Sequence, residues 1–166
     1  MQKGQVQYDV ETVKRDILSF LKLHEDAYKN GKSVWDTLLS QYVTLDKVEV
    51  CVGHPGNVSF RVRIPHEMRN LYQVSMHAGA VCTLVDYCSG AAVTGFDAQN
   101  QHISVKLQQD YLSRVMMDRE YIVSVIVQKV GKKLAFSQTF IIDALTQEIV
   151  VSASHTIAVV KETYKL

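Results

Sequence analysis

The 166-residue sequence is sparing with the residues that break or staple chains: two prolines, eight glycines, three cysteines and one tryptophan. With no Ser- or Gln-rich tract either, this composition excludes collagen-like repeats and argues against disorder and flexible linkers. Charge of one sign is also missing, since 18 Lys and Arg stand against 17 Asp and Glu for a formal charge of +1. The broad basic footprint that duplex nucleic acid or an anionic membrane surface requires is therefore absent. No apolar run approaches membrane-spanning length. The opening MQKGQVQYDVETVKRD has no apolar core for a secretory signal, and its acids speak against a transit peptide. Cys51, Cys82 and Cys88 are odd in number and lack the close pairing of a zinc knuckle or a redox CxxC. Buried thiols in a reducing compartment are expected, with no disulfide framework and no structural metal. That compartment is read as cytoplasmic, with a mitochondrial or peroxisomal location left open; the terminal Tyr-Lys-Leu puts Tyr164 where a peroxisomal address needs a small residue. There is no GxSxG elbow, dinucleotide fingerprint or Walker motif.

What is present is a chain 47% hydrophobic and of single-domain length. From Val10 to Tyr28, Val13, Ile17, Leu18, Phe20, Leu21 and Leu23 recur at steps of three and four, the period of an amphipathic helix stopped by Asn30-Gly31. A short helix from Ser33 to Leu39 is expected, with Ser33 as N-cap and Val34, Trp35, Leu38 and Leu39 facing inward. Val43 to Val52 and the strictly alternating Val58 to Ile64 flank His54-Pro55-Gly56-Asn57 and read as a hairpin with Phe60, Val62 and Ile64 inward. After an irregular stretch to Met76, a helix from Ala78 to about Val93 is closed by Gly95. Four strands follow, at about Ile103–Leu112, Glu120–Val130, Lys133–Asp143 and Glu148–Val160, with joints short enough to make a four-strand antiparallel meander.

Between Arg69 and Asp97 the only formally charged residue is Asp86, set in a helix of apolar or small residues that reads as buried on every side. A carboxylate there is either satisfied by neighbours, as many buried acids are, or kept for proton transfer with a raised pKa. His77-Ala78-Gly79 opens the same helix, and small residues at that point let a ligand approach the free N–H groups of the first turn, whose dipole favours an oxyanion. Nine residues at about 1.5 Å each put His77 roughly 13 Å from Asp86. One chain cannot easily bring both to one atom, whereas two antiparallel copies of the helix can, which predicts a site shared between subunits.

The segment His77-Ala-Gly-Ala-Val-Cys-Thr-Leu-Val-Asp86 resembles the HGG-(x)6-D signature of hotdog-fold acyl-CoA thioesterases of the phenylacetate-pathway type, the branch that includes thioesterase superfamily member 2. Ile103-Ser104-Val105, Gly131-Lys132-Lys133-Leu134-Ala135-Phe136 and Ser154-His155-Thr156 match in order, so the resemblance spans about Trp35 to Val160. It implies an α+β hotdog domain over residues 33–166, an antiparallel sheet wrapped around a central helix, preceded by an N-terminal helical extension over residues 1–32. It also implies a homodimer or homotetramer that hydrolyses an acyl-CoA to free acid and CoA, in lipid metabolism, with the CoA thioester as substrate and no cofactor.

By the same resemblance Asp86 is the catalytic carboxylate, as general base or as nucleophile. Ala78 supplies the carbonyl-polarising N–H in place of the first glycine, Gly79 keeps the second, His77 helps hold the loop and the thioester, and Ser104 positions the attacking water. The family's Asn six residues before the histidine is here Leu71, so Asn70, one position earlier, is the candidate amide donor. Lys129, Gly131, Lys132 and Lys133 are candidate ligands for the CoA phosphates, or a solvated turn. Arg61 and Arg63 read as an exposed strand face, and the remaining histidines, His155 among them, as surface or core. A hotdog dehydratase normally needs a catalytic His with an acid, or an Asp-(x)4-His motif, on or near this helix, and five residues after Asp86 stands Ala91. A non-catalytic acyl-CoA-binding or assembly protein remains the alternative from a different class.

Overall fold

The computed structural model describes residues 7–32 and 37–161. Helix α1, Val10–Lys29, starts where the Asp9 side chain accepts a hydrogen bond from the Thr12 N–H (2.8 Å), and it ends at Asn30. Gly31 follows at φ +69°, a left-handed position that glycine adopts without strain. Val13, Ile17 and Leu21 form its buried stripe, while Leu18 and Leu23 face outward. The expected second helix is a single 3₁₀ stretch, Thr37–Gln41; Ser33, Val34 and Trp35 lie outside the described residues. Strands β1 (Val43–Val50) and β2 (Gly56–Arg63) form the expected hairpin, with Phe60, Val62 and Ile64 buried.

Helix α2, Ala78–Phe96, is the centre of the molecule. Strands β3 (Gln101–Tyr111), β4 (Glu120–Val130), β5 (Leu134–Asp143) and β6 (Ile149–Val160) complete a six-stranded antiparallel sheet in the order β1-β2-β4-β5-β6-β3. The four-strand meander is thus corrected: only β4, β5 and β6 run consecutively, and β3 pairs with β6 rather than β4. The β3–β4 link is a crossover along the sheet end, pinned by Leu112 N–H and Ser113 N–H on the Val150 carbonyl and by Met117 N–H on the Val74 carbonyl. Gly95 does not close α2 either. It sits inside the helix, where an added Cβ would lie 2.5 Å from Ile17 Cγ1, so it is the groove in which α1 packs.

The core lies between the concave inner face of the sheet and α2, where Ala80, Leu84, Val85, Cys88, Ala91 and Ala92 meet Val123, Val125, Ile141 and Ile157. Beyond β6, strand β3 has no other described neighbour in the sheet, and Ile103 and Val105 on it are exposed. Among the described residues, no helix is long and apolar enough to cross a membrane.

Candidate active site

The expectation that α2 is buried all round fails along one stripe. Ala78 and Gly79 are exposed, and Cys82, Thr83, Asp86 and Gly90 are half-buried, at steps of three and four that trace one open face. Asp86 is 47% exposed at its side chain. Small residues dominate this stripe, and hydropathy cannot distinguish them from a buried set.

Asp86 is held by one hydrogen bond and backed by a buried imidazole. The Ser104 hydroxyl donates to Asp86 Oδ1 at 2.6 Å, the short distance of a charge-assisted hydrogen bond. A bulge in β3 makes that possible: the register with β6 slips between Ser104 and Lys106, so Ser104 and Leu107, three positions apart, both turn toward α2. From below, His155 Nε2 lies 3.4 Å from Asp86 Oδ1, while His155 Nδ1 is 2.7 Å from Ser89 Oγ. His155 is buried, and that burial holds its imidazole below the ordinary histidine range against the upward pull of Asp86. Burial first, then the Asp86 charge, pushes the Cys82 thiol up. Cys88 is buried and shifted the same way by burial alone, whereas Cys51 and Cys82 are half-buried; all three are free thiols.

His155 and Ser89 are functional candidates that sequence reasoning missed. One signal was available: Ser154-His155-Thr156 matched the resembled family, and an inward position in a regular strand puts that histidine under α2.

At the other end of the helix, His77 is the N-cap, and its Nδ1 accepts the Gly79 N–H at 3.0 Å. An accepting Nδ1 carries no hydrogen, so the neutral ring has its hydrogen on Nε2. A Cβ on Gly79 would lie 3.2 Å from His77 Nδ1, so glycine makes room for the ring to fold over its own helix. Gly79 therefore spends its N–H on the cap. Ala78, at the first helical position, keeps an N–H with no partner inside the helix, and the Tyr111 hydroxyl donates to its carbonyl at 2.8 Å.

The remaining candidates lie apart. Asn70 turns into its own hairpin, where its Nδ2 donates to Ser75 Oγ (2.9 Å), and Leu71 beside it projects into solvent. Lys129, Lys132 and Lys133 are exposed at the β4–β5 turn, closed by Gly131 N–H on the Leu134 carbonyl. That turn is a whole strand length, on the order of 30 Å, from the sheet end that adjoins His77. Arg61 lies on the exposed face and pairs with Asp46 and Glu120. Among the described residues, no group of His, Cys, Asp or Glu side chains is arranged to hold a metal.

An antiparallel sheet curled around one long helix is the hotdog fold. No family model matches the chain. It is similar to acyl-coenzyme A thioesterase 13 of Homo sapiens, 26% identical over 112 residues that cover 68% of this chain and 79% of that protein. Thioesterase superfamily member 2 of zebrafish superposes with a TM-score of 0.68 at 19% identity, covering 92% of this chain and 99% of that one. A hypothetical thioesterase of Streptococcus pneumoniae, solved with coenzyme A, gives 0.63 at 18% identity over 75% and 90% of the two chains. The chain is thus similar in sequence to a thioesterase over two thirds of its length, and it shares the hotdog fold over nearly all of it.

Proposed function

We propose that the protein is an acyl-CoA thioesterase whose site forms between two copies of the chain, Asp86 and Ser104 from one and the Ala78 N–H from the other. The observation that carries this reading is the 2.6 Å bond from Ser104 to Asp86 on a helix face left open in a single chain. In that chain Ala78 and Asp86 are eight residues apart, about 12 Å along the helix, too far to act on one carbonyl. Antiparallel pairing of the open α2 faces, with the exposed edges of β3 joined, brings each Asp86 toward the other chain's helix N-terminus. The β4–β5 lysines, at the opposite sheet end from their own Ala78, then fall on the side of the partner's, where the CoA phosphates are bound.

With Oδ1 occupied by Ser104, Asp86 Oδ2 accepts a proton from a water molecule whose oxygen adds to the thioester carbonyl carbon. The oxyanion is stabilised by the Ala78 N–H and the positive end of α2. Collapse breaks the carbon–sulfur bond, and the proton on Asp86 passes to the leaving CoA thiolate, which restores the carboxylate. Direct attack by Asp86, giving an acyl-carboxylate anhydride that water then cleaves, uses the same groups. His77 shapes the N-terminus by its cap, and the buried His155, paired with Ser89, lies behind Asp86.

Asn70, whose amide is engaged by Ser75, supports the second reading, a protein that binds acyl-CoA without cleaving it. A panel of acyl-CoAs separates the two: steady hydrolysis that disappears in Asp86→Ala with binding retained establishes the enzyme, and binding without turnover in the native chain establishes the binder. Mixing Asp86→Ala chains with chains disrupted at the His77 loop tests the shared site, since a confirmed mixed dimer regains one intact site.

A further inference from the structure

The start of α2 is flanked by an apolar rim that the hydrolytic chemistry does not use. Residues 69–76 form a hairpin: Asn70 N–H bonds the Ser75 carbonyl (2.8 Å), Gln73 N–H bonds the Asn70 carbonyl (2.9 Å), and Arg69 pairs with Met76. The His77 N–H on the Met68 carbonyl (2.7 Å) sets the base of this hairpin directly on the helix cap. Its tip, Leu71-Tyr72-Gln73-Val74, stands three residue pairs further out, about 10 Å at the rise of a strand. Gln73 closes the turn at φ +60°, a conformation a non-glycine residue takes up only when its surroundings impose it. Leu71 is 87% and Tyr72 79% exposed.

A second apolar pair approaches from β3. Tyr111 reaches the Ala78 carbonyl through its hydroxyl, and Leu112 beside it is exposed. Met76 N–H on the Val115 carbonyl and Met117 N–H on the Val74 carbonyl stitch this segment to the hairpin. Leu71, Tyr72, Val74, Tyr111 and Leu112 thus put exposed apolar side chains on the two segments that flank one helix N-terminus, with the exposed Arg69 and Arg114 at their margins, and Leu71 stands where the resembled family has its polar Asn.

We propose that this rim seats the apolar end of the acyl group and sets the preferred chain length. The proposal rests on the acyl-CoA reading above. The acyl chain is the part of an acyl-CoA that gains by leaving water for such a surface, whereas the phosphates and amides of the CoA moiety do not. Extended chains advance about 1.2 Å per bond, so an acyl chain of about eight carbons spans the 10 Å from the thioester carbonyl at Ala78 to the tip. An acetyl group does not reach it.

Calorimetric titration of Asp86→Asn protein with acetyl-CoA and with dodecanoyl-CoA tests this without turnover. The same chain carrying Leu71→Ser and Tyr72→Ser is compared after circular dichroism confirms its fold, which two exposed positions should preserve. Dodecanoyl-CoA is expected to bind the parent at least tenfold more tightly than acetyl-CoA. The serine pair is expected to weaken dodecanoyl-CoA at least tenfold and acetyl-CoA less than twofold. Equal losses for both ligands, or no loss for either, overturn the rim. So does a serine-pair effect confined to phosphatidylcholine vesicle binding or to oligomer mass, which assigns the surface to lipid or to a second copy. Turnover by the native chain is scored separately: chain-length-dependent binding without hydrolysis sustains the rim and refutes the hydrolase, and hydrolysis with no chain-length dependence in binding does the reverse.

Discussion

Replacing Gly95 with Ala tests the packing of α1 on α2, and Gly90→Ala is its internal control. A Cβ on Gly95 would lie 2.5 Å from Ile17 Cγ1, 2.9 Å from Ile17 Cδ1 and 3.1 Å from Val13 Cγ1. Both α1 residues are fully buried and have no solvent to swing into. Overpacking of this kind costs about 1–3 kcal/mol, and the better helix propensity of Ala returns about 1 kcal/mol. The net loss of about 1 kcal/mol corresponds to a fall in Tm of roughly 2–4 °C for a domain of this size. Gly90 has nothing within 4 Å of its added Cβ, so Ala there gains the propensity and raises Tm by a similar amount in an isolated chain. If the open face of α2 meets a second helix, the same methyl weakens self-association. Thermal denaturation across a concentration series, read with sedimentation equilibrium, separates the two effects. A Gly95→Ala chain that melts at or above the native protein would refute the reasoning about α1.

Three further outcomes are expected. Ser104→Ala leaves the Asp86 carboxylate unoriented and lowers kcat about a hundredfold, as displacement of a reacting group does, with KM little changed in steady-state assays; an unaltered kcat removes Ser104 from the site. Val105→Lys puts a cation on the exposed edge of β3 and should lower the mass seen by sedimentation and the activity together; activity retained in a monomer rules out a shared site. Because burial holds folded His155 below its unfolded value near pH 6.5, the unfolded chain takes up the proton first. Stability is therefore fully present above that pH and falls as the solution is acidified below it. His155→Gln should flatten this decline in urea midpoints between pH 7.5 and 5, and equal slopes for both proteins would count against it.

Much of this fold is legible in the sequence. The period of Val13, Ile17 and Leu21, the alternation from Val58 to Ile64 and the small-residue opening at His77-Ala78-Gly79 each gave local structure directly, because each depends on neighbours in sequence. The position of β3 did not follow, since the eight residues from Leu112 to Arg119 can close a hairpin or run along the sheet end, and their choice is made by distant carbonyls at Val150 and Val74. Asp86 stands out in the sequence as the one charge of its helix, but its exposure does not, because Gly79, Cys82 and Gly90 read as apolar in sequence while lying on an open stripe. His155 and Ser89 reach Asp86 only through strand register and helix phase. Gly79 was expected to serve the ligand, and its N–H serves the histidine beside it.

The open stripe on α2 has a consequence for how such an enzyme is switched on. In the shared-site reading proposed above, a chain that carries a carboxylate and, about 12 Å away, a helix start that cannot be turned on the same carbonyl owns two halves of a machine and completes neither alone. Activity then belongs to the encounter, and specific activity becomes a function of how much protein is present. On that reading dilution is an off-switch written into the placement of Asp86, and a cell that makes little of the protein would hold it idle without any inhibitor.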